Sequence, residues 1–214
     1  MAIRVIDDTK LNNIAIAIQA KDSGGKMTVD QMPTRIEENL QSKAVLDSVI
    51  DGSVTSIESD VTNIRERIFS NCTNLESCNL RNVTALSPYA FYRSGLRNLY
   101  APSTIMLASN SFYQAYYVTR LFFPNVEQIG SASFAYCRAL STIVLHKHAN
   151  LKNSDILSNG CPAIIYVKPE DLSWYSTATN WSTLYVQNRI KSIEDLTGDD
   201  LAWYQEQLAR YQAA

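Results

Sequence analysis

The stretch SFAYCRALSTIVL (residues 133–145) has a near copy upstream in IFSNCTNLESCNL (residues 68–80). Phe134, Cys137, Leu140 and Leu145 stand at the same offsets as Phe69, Cys72, Leu75 and Leu80. A cysteine beside a tyrosine and an arginine invites reading as a nucleophile. A nucleophile need occur only once, however, and this cysteine is part of a duplicated pattern. Working outward, phenylalanine recurs at Phe69, Phe91, Phe112 and Phe134, in steps of 22, 21 and 22 residues. Five positions before each lies Ile64, Leu86, Leu107 or Ile129, and five or six after lies Leu75, Leu96, Val118 or Leu140. A strand-like segment follows every time: LESCNL, LRNLYA, VTRLFF, LSTIVL.

Self-similarity at this period marks a repeat of one strand plus a turn or irregular arm, within the ~20–29 residues of a leucine-rich repeat. No such unit can bury its apolar face alone, so units stack and their equivalent side chains form ladders. Each inward Leu, Ile or Phe then contributes about 1.5–3 kcal/mol. A degenerate first unit is expected in residues 45–57 and a degenerate last one in residues 155–167, because end units meet water on one side. In this frame Cys72 and Cys137 share a column with Ser94 and Ala115. The column takes small residues in a tight inward turn, where a free cysteine acts as a small hydrophobe. Three units at ~4.8 Å per strand separate the two sulfurs by roughly 14 Å, beyond the ~7 Å between Cα atoms that a disulfide tolerates. Both are expected in the core.

The pattern resembles the BspA-type leucine-rich repeats of bacterial surface and phage proteins, whose units read I-G-x-x-x-F-x-x-C-x-x-L-x-x-I-x-L-P. IGSASFAYCRALSTIVL (residues 129–145) follows it almost throughout, and LFFPNVEQIG (residues 121–130) supplies the proline and the next Ile-Gly. Residues 164–193 are similar to that family's C-terminal cap, in which a Tyr and a Trp about six residues apart close the last unit, here Tyr175 and Trp181. The resemblance spans residues 45–193 and implies an α/β solenoid. Glycine is missing before Phe91 and Phe112 and one residue is deleted before Leu96, so the turns there are expected to be tightened or irregular.

Residues 8–40 carry a second resemblance, to a short helical module that opens many phage tail and baseplate-associated proteins. Leu11, Ile14, Ala15 and Ile18 fall on one helical face. Thr9 suits an N-cap, and Ser23-Gly24-Gly25 ends the helix. Thr28 with Gln31 makes a capping box, and Pro33 opens a new turn. A module this small must dock on something, so Leu11, Ile14, Ile18, Met32 and Ile36 are the expected particle-attachment residues.

Composition excludes several functions. The chain has 214 residues, 46% hydrophobic and 19% charged, which suits a folded protein and not a disordered one. Lys+Arg 19 against Asp+Glu 21, with no basic run, argues against nucleic acid as a partner. The apolar runs are too short to span a bilayer, so no membrane insertion is expected. MAIRVIDDTK lacks the basic and apolar regions of a signal peptide. No phosphate loop or serine-nucleophile motif occurs. His146 and His148, the two histidines, leave a strand end together but lack the third and fourth ligands of a zinc site. The reading is therefore of no enzyme, no metal and no cofactor.

Binding surfaces are more informative. Strand side chains alternate, so Asn79, Tyr100, Phe122 and Val144 form one outward column, and Ser77, Asn98, Arg120 and Thr142 another. Tyr100 and Phe122, flanked by Asn98 and Arg120, would present aromatic and guanidinium groups of the kind that recognition surfaces use, unless another element or subunit covers them. On the turn side, Tyr113, Tyr116 and Tyr117 are further binding candidates, with Tyr89 and Tyr136 as half-buried filler. Trp174, Tyr175, Trp181 and Tyr185 belong to the cap. In residues 194–214 Thr197 and Asp200 would form a capping box, with Leu201, Tyr204, Leu208 and Tyr211 on one face. That helix either folds back on the repeat or meets a neighbouring subunit.

These readings give three segments: a helical module (1–42), a leucine-rich repeat solenoid with its cap (43–193) and an amphipathic helix (194–214). The expected function is that of a non-enzymatic virion structural protein of a phage or prophage-derived particle, in its tail, baseplate or fibre. It would be made in the host cytoplasm and present in several copies or as a homo-oligomer. It would bind other virion proteins through its N-terminal module and a host-surface glycan or protein through the repeat. The alternatives are a bacterial surface or secreted adhesin, and a virion decoration without ligand.

Overall fold

The computed structural model describes residues 2–3, 55–59, 62 and 64–213. The expected helical module, with Leu11, Ile14, Ile18, Met32 and Ile36, lies outside the described residues. Its first residues do contribute a strand, β1 (Ala2–Ile3), which no sequence signal announced.

Eleven more strands follow: β2 (Ser56–Glu58), β3 (Ser77–Asn79), β4 (Ala85–Leu86), β5 (Asn98–Tyr100), β6 (Met106–Leu107), β7 (Arg120–Phe123), β8 (Gln128–Ile129), β9 (Thr142–Leu145), β10 (Asn150–Leu151), β11 (Ile164–Val167) and β12 (Ile190–Ser192). Every pairing among them is parallel. Among the described residues they form three four-stranded sheets, ordered β1-β2-β3-β5, β7-β9-β11-β12 and β4-β6-β8-β10. The second sheet begins where the first ends, with β7 beside β5. The register is that of the repeat: Ser77 pairs with Asn98, Asn79 with Tyr100, Arg120 with Thr142 and Phe122 with Val144. The strands are short because each unit contributes only one pass to each sheet before it turns.

A further ladder joins the turns. Phe69 N–H donates to Ala90 O, Phe91 to Ser111 O, Phe112 to Ser133 O and Phe134 to Ile156 O, at 2.8–3.0 Å. The residues two before and two after each Phe have positive φ: Arg67 and Asn71, Tyr89 and Arg93, Asn110 and Gln114, Ala132 and Tyr136. Alternating the handedness of the backbone turns every second N–H group, as at Arg67, Phe69 and Asn71, towards the carbonyls of the next unit, while Ile68 and Ser70 donate within their own. A left-handed non-glycine residue costs roughly 1–3 kcal/mol, and the inter-unit hydrogen bonds offset it. This explains how seven glycines serve so many turns. The expectation of irregular turns holds in part: the φ pattern at Phe91 and Phe112 matches the other two turns, while the deletion before Leu96 brings Gly95 so close to Thr73 O of the neighbouring unit that a Cβ there would clash.

The phenylalanines stack inside these turns. Phe69–Phe91, Phe91–Phe112 and Phe112–Phe134 have ring centroids 5.2, 5.2 and 5.6 Å apart and nearly parallel planes. Leu75, Leu86, Leu96, Leu107, Val118, Ile129 and Leu140 complete a continuous core. Cys72, Cys78, Cys137 and Cys161 are free thiols within it, and Cys137 Sγ donates to Phe112 O.

The far end is closed by α1 (Leu172–Thr177) and α2 (Trp181–Val186). Tyr175 and Trp181, both fully buried, meet edge to face at 4.7 Å. Tyr175 Oη donates to Lys147 O and Trp181 Nε1 to Ala149 O. Arg189 donates to Cys161 O and Ala163 O. The cap works by giving donors to carbonyls that have no further unit to serve.

Candidate recognition cleft

The last helix, α3 (Gly198–Gln212), lies across the outer face of the second sheet. Its apolar stripe is the expected one. Tyr204 is buried and Leu201, Leu208 and Tyr211 are partly buried against Phe122 and Val144. The pair expected to stand exposed is therefore covered: Tyr100 is 6% and Phe122 5% accessible. Covering them is physically reasonable, since aromatic and aliphatic side chains in one column gain about 25 cal/mol per Å² on leaving water. Phe122 meets Tyr204 and Tyr211 edge to face at 5.9 and 6.1 Å.

Polar contacts fix the helix in register. Asp200 accepts from Arg120 Nε through Oδ1 and from Thr142 Oγ1 through Oδ2. Thr197 occupies the N-cap but makes no side-chain cap bond. The expected capping box is thus replaced by ties from Asp200 to the sheet. The reciprocal box occurs one turn earlier, between Ser192 and Asp195. Tyr100 Oη donates to Arg210 O, and Asn125 Nδ2 to Tyr211 Oη. Beside Tyr204 lies His146, whose Nε2 is 2.9 Å from the Tyr204 hydroxyl. Burial, with Lys168 adding to it and Asp171 opposing, lowers the His146 pKa to about 4. His148 turns instead to the cap, stacked on Trp174 at 4.3 Å and bonded to Asp171 Oδ1. The two rings do not converge.

Where α3 passes the seam between β5 and β7, it leaves a polar cleft of about 220 Å³. The sheet side supplies Ser77, Asn79, Arg97, Asn98, Tyr100, Thr119 and Arg120, and the helix supplies Trp203, Glu206, Gln207 and Arg210. The Arg210 guanidinium lies over Tyr100, its carbon 3.6 Å from the ring centre. Arg97 stands over the Tyr117 ring at 5.3 Å and reaches Glu76 at 3.8 Å. Asn79 gives Nδ2 to Glu58, and its Oδ1 has no donor among the described residues. Sequence reasoning placed Asn98, Tyr100 and Arg120 here. It missed Trp203, Glu206, Gln207 and Arg210, which fall at i, i+3, i+4 and i+7 and were visible as a second helical stripe.

The pattern of the BspA type leucine rich repeat region matches residues 49–165 in six copies, more than half of the chain. The chain belongs to that family. No curated protein matches the chain.

On the turn side of these BspA-type repeats, Tyr113 lies 5.9, 6.4 and 5.2 Å from Tyr92, Tyr89 and Tyr136. Arg67 and Arg93 cover Tyr89 and Tyr92. Tyr116 sits under Arg138, away from this group. Tyr117 is 49% exposed and flanks the cleft through Arg97. Of the seven expected binding residues, Asn98, Tyr100 and Arg120 line the cleft and Tyr117 borders it. Phe122 lies beneath α3, and Tyr113 and Tyr116 lie elsewhere.

Proposed function

We propose that this BspA-type chain is a non-enzymatic recognition protein. Its repeats would form a short solenoid that holds the cleft between β5, β7 and α3, and a phage or phage-derived particle would carry it. The observation that carries the recognition reading is the convergence of Asn98, Arg97, Arg210 and Trp203 from separate elements around one cleft. Small, concave sites with a few convergent polar groups and an aromatic are the usual form of a binding site. The particle setting rests on the resemblance of residues 8–40 to phage tail and baseplate modules.

Two experiments test this. Antibody labelling of particles in electron microscopy should place the chain on a tail, baseplate or head, and unlabelled particles would end the virion reading. Attachment of the purified chain to host cells should weaken on Asn98→Ala with the melting temperature unchanged, and undiminished attachment would end the cleft's role. Tyr100 and Phe122 are unsuitable for this test, because they hold α3.

Membership of the BspA-type family favours a second setting, a bacterial surface adhesin. Label on the surface of intact, uninfected cells would favour it over the particle.

A further inference from the structure

We infer that the cleft takes one neutral sugar residue, the end or a branch of a glycan; the inference rests on the recognition reading above. Size decides first. A cleft of about 220 Å³ lies below the ~300–1,000 Å³ of sites that enclose larger ligands, which suits a single hydroxyl-bearing ring seated against its lining.

Charge decides next. Arg97, Arg120 and Arg210 line the cleft, and three carboxylates answer them: Glu76 beside Arg97, Asp200 on Arg120 and Glu206 in the lining itself. Glu206 also stands one helical turn before Arg210, the i, i+4 spacing at which opposite charges attract. The site is balanced, so an anion gains little from it. What remains is a ring of planar hydrogen-bonding groups: the amides of Asn98 and Gln207, the Glu206 carboxylate and the edge of the Arg210 guanidinium, whose face is already taken by Tyr100. Planar forks of this kind bond two adjacent oxygens at once, as vicinal hydroxyls present them. Trp203 supplies an apolar surface with a polar tip for the C–H face of such a ring.

The test uses the full chain and a panel of methyl glycosides of neutral hexoses and N-acetylhexosamines, with inorganic phosphate and a sialic acid glycoside as anions. Saturation-transfer NMR and calorimetry should show one neutral glycoside binding in the millimolar range that one small ring allows. Asn98→Ala and Gln207→Ala, both on accessible side chains, should each weaken it about tenfold with an unchanged melting temperature. Trp203→Ala should abolish it, with the first two variants keeping the result readable if Trp203→Ala unfolds α3. Binding of phosphate or the sialic acid glycoside alone would overturn the neutral-sugar assignment. No binding of any glycoside, with host-cell attachment intact and sensitive to Asn98→Ala, would overturn the sugar and leave recognition standing. Loss of both would overturn both.

Discussion

Gly130 and Ala132, two residues apart in the turn before Phe134, carry opposite backbone demands. A Cβ at position 130 would lie 2.4 Å from Ser109 N and 2.7 Å from Ala108 C, backbone atoms of the neighbouring unit that cannot step aside. Gly130→Ala should therefore destabilise by several kcal/mol, in the range of overpacked cores and strained backbones. Ala132 instead has φ 52°, where a Cβ is the burden. Ala132→Gly should stabilise by about 1 kcal/mol, since Gly adopts this region freely. Urea midpoints for the two variants check both signs at once. Across successive turns, the rings of Phe91 and Phe134 lie on either side of Phe112. Phe112→Ala should cost about 3–5 kcal/mol. The cysteines follow the same logic of enclosure. Burial pushes the Cys72 thiol up to about 12, and Cys78, Cys137 and Cys161 upward as well. Thiolates are the reactive form, so at pH 8 a thiol reagent should modify none of the four until denaturant is added. Fast labelling of native Cys137 would revive the nucleophile reading.

At the scale of one element, α3 shows what the sequence made legible and what it did not. The stripe Leu201, Tyr204, Leu208, Tyr211 was readable from period alone, because amphipathicity is a property of the helix itself. Its destination was not, because Phe122 and Tyr100 read as an exposed column until something is known to cover them. Asp200 was misassigned for a related reason: a carboxylate three residues after a threonine fits a capping box, but here Arg120 and Thr142 compete for it and win. The repeat units themselves were legible almost to the residue, since each copy confirmed the others. β1 was not, since it depends on contacts between segments distant in sequence; the stripe Trp203, Glu206, Gln207, Arg210 was visible by period, but its place beside Asn98 and Arg97 was not. His146 makes the docking of α3 measurable. Its pKa is about 4 when folded, below the usual 6.5, so the unfolded chain binds the extra proton between these values. Stability from this group is complete above pH 6.5 and falls as pH drops towards 4. Carboxylates titrate in the lower part of this window too, so the informative quantity is a difference. His146→Gln, a neutral side chain, should flatten the slope of stability between pH 6.5 and 4 relative to the parent chain. An unchanged slope would mean that the folded chain does not hold the His146 pKa below its usual value.

At the scale of the whole molecule, two apolar surfaces of the repeats are covered by different means among the described residues. The far end receives α1 and α2, whose Tyr175 and Trp181 donate hydrogen bonds to backbone carbonyls. The outer face of the second sheet receives α3, which buries a column running from Tyr100 through Phe122 and Val144 to Tyr166. In the first sheet Ser77 and Asn79 are half-buried and Asn98 is exposed, while Tyr100 at its edge joins the column beneath α3. The cleft exists where these two surfaces meet, so covering the sheet and forming the site are one structural act. Removing residues 194–214 should separate the two roles. In a stacked repeat each unit rests mainly on its neighbours, and the Phe ladder and the cap lie outside the deleted segment. The shortened chain should therefore retain its parallel-sheet circular dichroism. It should also expose a contiguous aromatic column of the kind that monomeric proteins rarely leave open. Concentration-dependent sedimentation and increased dye binding to apolar surface are the expected readouts, together with loss of host-cell attachment. A shortened chain that stays monomeric, with the same midpoint in urea, would show that α3 covers nothing of consequence and that the cleft lacks its second wall.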